Sequence, residues 1–210
     1  MKAYKTIVKT ATLLTFGLCG VCSVSSVYAQ QDSSGPWMVR ARAVELNWSN
    51  AQNDGLATTN VRAENKAIPE FDVSYFFTKN IAAELVLTYP QKVNIDVAGA
   101  YQGTLKALPP SLLAQYHFTG LGAIKPYVGL GANYTSFTSQ SILNNTATVK
   151  NNSYGGVAQL GADYMIDKNW GINLDVKYIQ IKTDVYVSGS KIGQLGLNPT
   201  AAAVGVTYRF

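Results

Sequence analysis

The chain has 210 residues, of which 47% are hydrophobic and 14% charged, with a formal net charge of +5. A mean hydropathy near zero excludes a multi-pass helical membrane protein, which needs several apolar runs of about 20 residues. The low charge and 11% aromatic content exclude disorder.

The first element is a signal peptide over residues 1–29. Lys2, Lys5 and Lys9 form a positive start, Ala11 to Cys22 an apolar run, and Val27-Tyr28-Ala29 a small-residue exit. The run is too short to span a bilayer comfortably. Leu18 and Val21 precede the two cysteines, which argues against lipidation. Cleavage after Ala29 removes Cys19 and Cys22, so disulfides, thiolate metal sites and cysteine nucleophiles are excluded from residues 30–210. Three of the 17 basic residues leave with it, so 14 face 12 acidic ones, a balance of +2. No basic face remains to hold nucleic acid.

From residue 30 onward the pattern has a period of two, the signature of half-buried strands. The first strand runs from about Trp37 to Trp48, with Arg40 and Arg42 on one parity and Val39, Ala41 and Ala43 on the other. Phe71, Val73, Tyr75 and Phe77 alternate with Glu70, Asp72 and Ser74. Leu85, Leu87 and Tyr89 follow, opposed by Glu84 and Thr88. Leu112, Ala114, Tyr116 and Phe118 oppose Ser111, Gln115 and His117. Val128, Leu130, Ala132 and Tyr134 oppose Gly129, Gly131 and Asn133. Tyr154, Ala158, Leu160, Ala162 and Tyr164 oppose Gln159 and Asp163. Ile172, Leu174, Val176 and Tyr178 oppose Asn173, Asp175 and Lys177. Val204, Val206, Tyr208 and Phe210 oppose Gly205, Thr207 and Arg209.

These eight strands alternate short connections (78–80, 119–124, 167–169) with long ones (near 49–66, 90–108, 136–152 and 182–196). That is the rhythm of an eight-stranded antiparallel up-and-down β-barrel, whose long connections are expected to be solvent-exposed loops. The fold is all-β, with residues 30–210 forming one transmembrane barrel domain.

Three features turn the apolar face toward lipid. The polar rows are poor in charge, and their charges are of both signs, suited to pairing across a narrow lumen. Aromatic residues lie at both ends of the apolar rows: Phe77, Phe118, Tyr164, Tyr208 and Phe210 at the short-turn end, and Phe71, Tyr89, Tyr134, Tyr154 and Tyr178 at the other. Ten residues from Tyr154 to Tyr164 span ~33 Å of strand, or ~25 Å of height when tilted, the spacing of outer-membrane aromatic girdles. Finally, Gly205, Tyr208 and Phe210 on a closing strand resemble the assembly signal of bacterial outer-membrane barrels, which implies the barrel-assembly machinery as a partner. The expected setting is the outer membrane of a Gram-negative cell, among its lipid and lipopolysaccharide.

Candidate lumen-lining residues follow from parity: Arg40, Asp72, Glu84, Val86, Leu113, Gln115, His117, Asn133, Gln159, Asp163, Asp175, Lys177 and Arg209. The acidic members lack calcium-loop spacing and are expected to pair with Arg40, Arg42, Lys177 or Arg209. His117 is the single histidine, and with Ser111 and Glu84 it invites comparison with a serine hydrolase. It points into the lumen, away from lipid, so a hydrogen-bonding role is expected and no catalytic residue is assigned. Gly129-Leu130-Gly131 has no following helix and no third glycine, so it is not a nucleotide loop; close packing or a bend is expected there. No metal or cofactor is expected.

Several runs together resemble the OmpW family of eight-stranded outer-membrane barrels. They are 37–40, 74–85, Leu108-Pro109-Pro110-Ser111-Leu112 with its continuation to Phe118, and Lys125-Pro126-Tyr127-Val128-Gly129 through Thr135. The runs 159–164, 170–178 and 204–210 complete the match, which covers nearly all of residues 30–210. The resemblance implies a narrow, porin-like barrel with a largely apolar lumen. It implies passage of small hydrophobic molecules across the outer membrane, with lateral exit into the bilayer. Family members also serve stress responses and act as toxin or phage receptors, so a plugged structural or receptor barrel is the alternative. A lipid-modifying enzyme is the third reading. Val86 and Leu113 would line an apolar path.

Overall fold

The computed structural model describes residues 35–54, 56 and 60–210. The signal segment expected over residues 1–29 lies outside the described residues. Fifteen strands are present and no helix among the described residues.

Eight of them form the wall: β1 (Trp37–Asn47), β4 (Lys66–Phe76), β5 (Ile81–Leu87), β8 (Ser111–His117), β9 (Ile124–Ile142), β11 (Asn152–Met165), β12 (Trp170–Ile179) and β15 (Thr200–Arg209). Each pairs antiparallel with its neighbour, and β1 closes on β15, where Met38 stands opposite Arg209 and Asn47 opposite Thr200. Closure satisfies the backbone of every wall strand, which a lipid environment requires. The short connections fall where the sequence places them, at residues 77–80, 118–123 and 166–169.

Alternation sorts the side chains. Leu130, Leu160, Leu174 and Val204 are exposed on the outer surface, while Asp72, Ser74, Glu84, Asp163 and Asn173 are fully buried inside. The outer aromatic residues pack edge to face at the short-turn end: Trp37–Tyr75, Trp170–Tyr208 and Tyr208–Phe210 have centroids 4.8, 4.8 and 5.0 Å apart. Tyr134 and Tyr154 pair at the other end, 5.1 Å apart.

The long connections are not open loops, and this corrects the expectation. They form β2 (Ala51–Asp54), β3 (Val61–Ala63), β6 (Gln91–Val97), β7 (Ala100–Leu108), β10 (Ala147–Val149), β13 (Lys182–Val187) and β14 (Ser190–Gly196). With the outer part of β9 they pair in the order β3-β6-β7-β9-β10-β13-β14-β2. The physical reason is a second set of short alternations. Val93 and Ile95 face inward on β6, as do Leu105 and Ala107 on β7 and Ala147 and Val149 on β10. Two hairpins are set by paired positive-φ residues, Ala98-Gly99 (53° and 81°) and Ser188-Gly189 (49° and 82°), which match the twist of the flanking strands.

The collar closes by a different device. Between β2 and β3, Gln52 Nε2 donates to the Val61 carbonyl and its Oε1 accepts from the Val61 amide, both at 2.9 Å. Asn50 does the same for Ala63, at 3.2 and 2.8 Å. Two side-chain amides thus stand in for ladder rungs between chain segments that share no backbone ladder.

Candidate functional site

The interior has two storeys. The lower one, within the wall, is a polar network. Arg40 of β1 donates to both oxygens of Asp163 (3.1 and 2.7 Å) and pairs with Asp72 (3.2 Å) and Glu84 (3.1 Å). Arg42, two residues on and so on the same face, pairs with Asp72, with Glu84 at 3.0 Å, with Glu70 at 3.1 Å and with Asp175 at 3.3 Å. Lys177 joins Glu70 (2.7 Å) to Asp175 (2.9 Å). Buried charges in a low-dielectric interior require this kind of pairing.

Neutral groups fill the gaps. Tyr127 donates to Asp175 (2.7 Å), and Arg40 lies over its ring at 4.9 Å. Asn173 donates to Tyr127 Oη and to Asp163, at 3.0 and 2.9 Å, and the Thr207 hydroxyl donates to Asp163. Gln159 donates to Glu84 (2.9 Å) and Asp175 (2.8 Å) while accepting from Gln115 (2.9 Å). Inward glycines seat these long side chains. A Cβ on Gly129 would lie 2.7 Å from Gln159 Oε1, and one on Gly161 would overlap the Tyr127 ring.

The residues singled out by parity fall as follows. Arg40, Asp72, Glu84, Gln115, Gln159, Asp163, Asp175 and Lys177 meet in this one network. His117 is buried below it, 3.0 Å from Gln115 Oε1 and between the rings of Phe76 (4.7 Å) and Tyr127 (4.9 Å). Asn133 stands apart, donating to Ser111 at 3.0 Å and to the carbonyls of Pro109 and Pro110. Ser111 and His117 lie six residues apart on β8, ~20 Å along a strand, so they do not form a nucleophile–base pair. Arg209 places its guanidinium 4.1 Å over the Phe76 ring and donates to the Gly35 carbonyl. Gly205 stands opposite Arg42 on β1 and Asn173 on β12, and Tyr208 and Phe210 lie on the outer face.

Val86 and Leu113 belong to the upper storey. Among the described residues the largest apolar cluster of the interior lies there, with a smaller one of Met38, Phe76 and Ala82 at the short-turn end. An apolar cluster fills the collar, joining Val86, Leu113, Val157 and Ile179 from the wall to Val93, Ile95, Leu105, Phe137, Leu195 and Leu197 above. Within it is a cavity of about 100 Å³ whose lining exposes no polar surface. Its walls include Leu56, Val93, Ile95, Leu105, Val185 and Leu195.

Sequence reasoning missed Tyr127, although its parity with Gly129 and Asn133 marks it as inward. It also omitted Glu70, Asn173 and Thr207 from the site, though all share a parity with residues that were chosen.

A closed eight-stranded barrel with an apolar aromatic-edged exterior, an ion-paired interior and an elaborated collar defines a bacterial outer-membrane β-barrel protein. The chain belongs to the OmpW family, whose model matches residues 33–210. It is 40% identical over 183 residues to the outer-membrane protein y4mB of Sinorhizobium fredii, covering 83% of this chain and 80% of that protein. It is 31% identical over 214 residues to outer membrane protein W of Vibrio cholerae, covering 92% and 97%. The crystal structure of the outer membrane protein OprG from Pseudomonas aeruginosa shares the fold, with a TM-score of 0.74 at 24% identity over 84% of this chain and 96% of that one. The protein resides in the outer membrane, with its short turns toward the periplasm and its collar outside.

Proposed function

We propose that the protein admits small, mostly apolar molecules through its extracellular collar and releases them sideways into the outer leaflet. The observation that carries this reading is the stacking of an apolar cavity directly above an ion-paired plug. Eight-stranded barrels leave room only for side chains or one small ligand. The plug here consumes that room, so an apolar solute has no path straight down. The wall supplies the alternative. The ladder between β11 and β12 ends at Val157 opposite Ile179. Above it the chains are joined by Gln180 N to Gly156 O (2.9 Å) and Lys182 N to Ser153 Oγ (3.1 Å). An outer-surface pocket of about 270 Å³ lies at this parting, between Leu130, Val157, Ala158, Tyr178 and Gln180. Val157 belongs to both the inner cluster and this pocket.

The test is uptake of naphthalene by cells lacking the gene, complemented with native protein or with Ile95→Glu in the cavity wall. Native protein raises uptake several-fold, Ile95→Glu abolishes the gain, and glycerol uptake changes in neither. Native protein that reaches the outer membrane without raising naphthalene uptake overturns the proposal. The second reading, a structural or receptor barrel, is favoured by the same plug and predicts that negative result. In either reading the barrel-assembly machinery inserts the chain among outer-membrane lipid and lipopolysaccharide.

A further inference from the structure

Lysines elsewhere in the barrel stand beside carboxylates. Lys177 is held by Glu70 and Asp175, and exposed Lys191 pairs with Asp184 at 2.8 Å. The base of the collar departs from this on one side. Lys92 of β6 and Lys106 of β7 stand directly opposite each other in the antiparallel ladder. Their neighbours Val93 and Leu105 turn inward to the cavity, so both lysines turn outward, and both are exposed. Opposite positions on one face hold their Cβ atoms about 5 Å apart. Among the described residues neither lysine forms an ion pair. A third ammonium borders the pair, since Lys66 Nζ lies 3.4 Å from the Lys92 carbonyl. Glu64 is the carboxylate at this edge, and Asn94 Nδ2 occupies it at 2.7 Å. Like charges set directly opposite cost stability. Three unneutralised cations on one face attract an anion.

The height of the patch indicates which anion. Lys106 stands opposite Thr138 of β9. Thr138 lies four residues beyond Tyr134, which pairs with Tyr154 in the outer aromatic girdle. Four residues span ~13 Å of strand, or ~10 Å of height at the tilt of a barrel. The patch therefore sits just outside the hydrocarbon, and lysine stems turned toward the membrane bring their ammonium groups to the headgroup layer. We propose that Lys66, Lys92 and Lys106 bind a phosphate of the outer-leaflet glycolipid, the lipid A moiety of lipopolysaccharide. Each ammonium offers three donors and no acceptor, and one phosphate presents several acceptor oxygens to all three. A phosphate between Lys92 and Lys106 turns their repulsion into shared attraction. The site occupies the outer face of the two strands whose inner face lines the cavity, so it stands or falls separately from solute passage.

The experiment uses native mass spectrometry of the full-length barrel in mixed micelles carrying lipid A, dephosphorylated lipid A, phosphatidylglycerol or inorganic phosphate. Native protein binds lipid A at least tenfold more tightly than its dephosphorylated form, and more tightly than phosphatidylglycerol or inorganic phosphate. Lys92→Gln/Lys106→Gln weakens lipid A binding about thirtyfold, near fivefold for each lysine at a membrane surface. Lys92→Arg/Lys106→Arg retains it. Lys150→Gln/Lys182→Gln, an equal change of charge beside Asp184 on β13, leaves it within twofold. Amide exchange across β6 and β7 reports folding and gives a second sign. In phosphatidylcholine nanodiscs the Lys92→Gln/Lys106→Gln variant exchanges about twofold more slowly than native protein, because the repulsion is gone. Adding lipid A slows exchange in native protein and leaves that variant unchanged. Equal binding of lipid A and its dephosphorylated form, or equal losses in the two glutamine variants, overturns the proposal. Tighter binding of phosphatidylglycerol overturns the glycolipid as the source of the phosphate. Inorganic phosphate binding as tightly as lipid A overturns a membrane ligand altogether.

Discussion

Replacing Arg40 by methionine tests whether the plug is held by charge pairing. Arg40 touches three carboxylates, and every side chain involved is fully shielded from solvent. The loss is not three times a salt bridge. Asp72 and Glu84 each keep Arg42 as a partner. Asp163 keeps only neutral donors, Asn173 and Thr207. One carboxylate is therefore stranded, and stranding one buried charge costs about 3–5 kcal/mol. Urea unfolding from lipid vesicles should show a destabilisation of that size for Arg40→Met. Adding Asp163→Asn should recover most of it, because the stranded charge is then gone. Lys191→Ala, which breaks an exposed pair with Asp184 at 2.8 Å, should change stability by less than about 1 kcal/mol. A loss below about 1 kcal/mol for Arg40→Met, or a double variant worse than the single one, would refute the reasoning.

Three further outcomes are expected. Gly161→Ala drives a methyl into the Tyr127 ring and toward the Leu174 carbonyl, and should destabilise the barrel by about 1–3 kcal/mol as overpacking does; an unchanged urea midpoint would show that the ring moves freely. At the periplasmic turn, the amides of Asn169 and Trp170 donate to Asp167 at 2.8 and 2.7 Å and hold its carboxyl below the ordinary aspartate range. A depressed carboxyl protects the turn fully above the unfolded pKa and loses that protection as pH falls through the lowered folded value. The protection of the Trp170 amide, measured against its intrinsic exchange rate at each pH, should therefore fall at acid pH, a dependence that Asp167→Ala removes and that an ordinary titration midpoint by NMR would contradict. At the collar seam, Gln52→Leu removes both bonds to Val61 and should speed exchange of the Val61 amide about tenfold, near the net value of one hydrogen bond; unchanged exchange would mean the seam is held elsewhere.

The wall of this barrel is legible in its sequence because lipid and lumen impose opposite demands on adjacent residues. Each outward residue must be apolar, and each inward one must pack into a narrow interior, so parity alone separates Leu85 from Glu84 and Leu174 from Asp175. Parity also selects partners for the charges without saying which pairs form. Arg209 shares the inward parity of β15, and its guanidinium lies over the Phe76 ring, a contact that parity does not announce. Tyr127 heads the inward row of Gly129, Gly131 and Asn133, and as an aromatic among glycines it does not stand out as a polar lumen residue. The collar was hidden by length. Its strands run from three to nine residues, their outward positions carry Asn, Thr and Lys, and their average composition is that of a loop. The seam closed by Asn50 and Gln52 has no periodicity at all, because side chains there do the work of backbone.

What parity averaging concealed most is a change along the inward rows themselves. Moving outward on β1, Arg40 and Arg42 give way to Val44 and Leu46; on β5, Glu84 gives way to Val86; on β11, Gln159 gives way to Val157; on β12, Asp175 and Lys177 give way to Ile179. On β4 and β15 the same step separates Glu70 from Ile68 and Thr207 from Ala203. Six strands switch from polar to apolar on the way out, and that common boundary divides plug from cavity. It also constrains any solute. Going straight through requires separating Arg40 and Arg42 from their carboxylates, at about 3–5 kcal/mol for each charge left stranded. Leaving between β11 and β12 above Val157 requires breaking one backbone bond at Gly156 and one side-chain bond at Ser153, each with a net worth of about 1 kcal/mol. On the proposed route, the wall is the lower barrier.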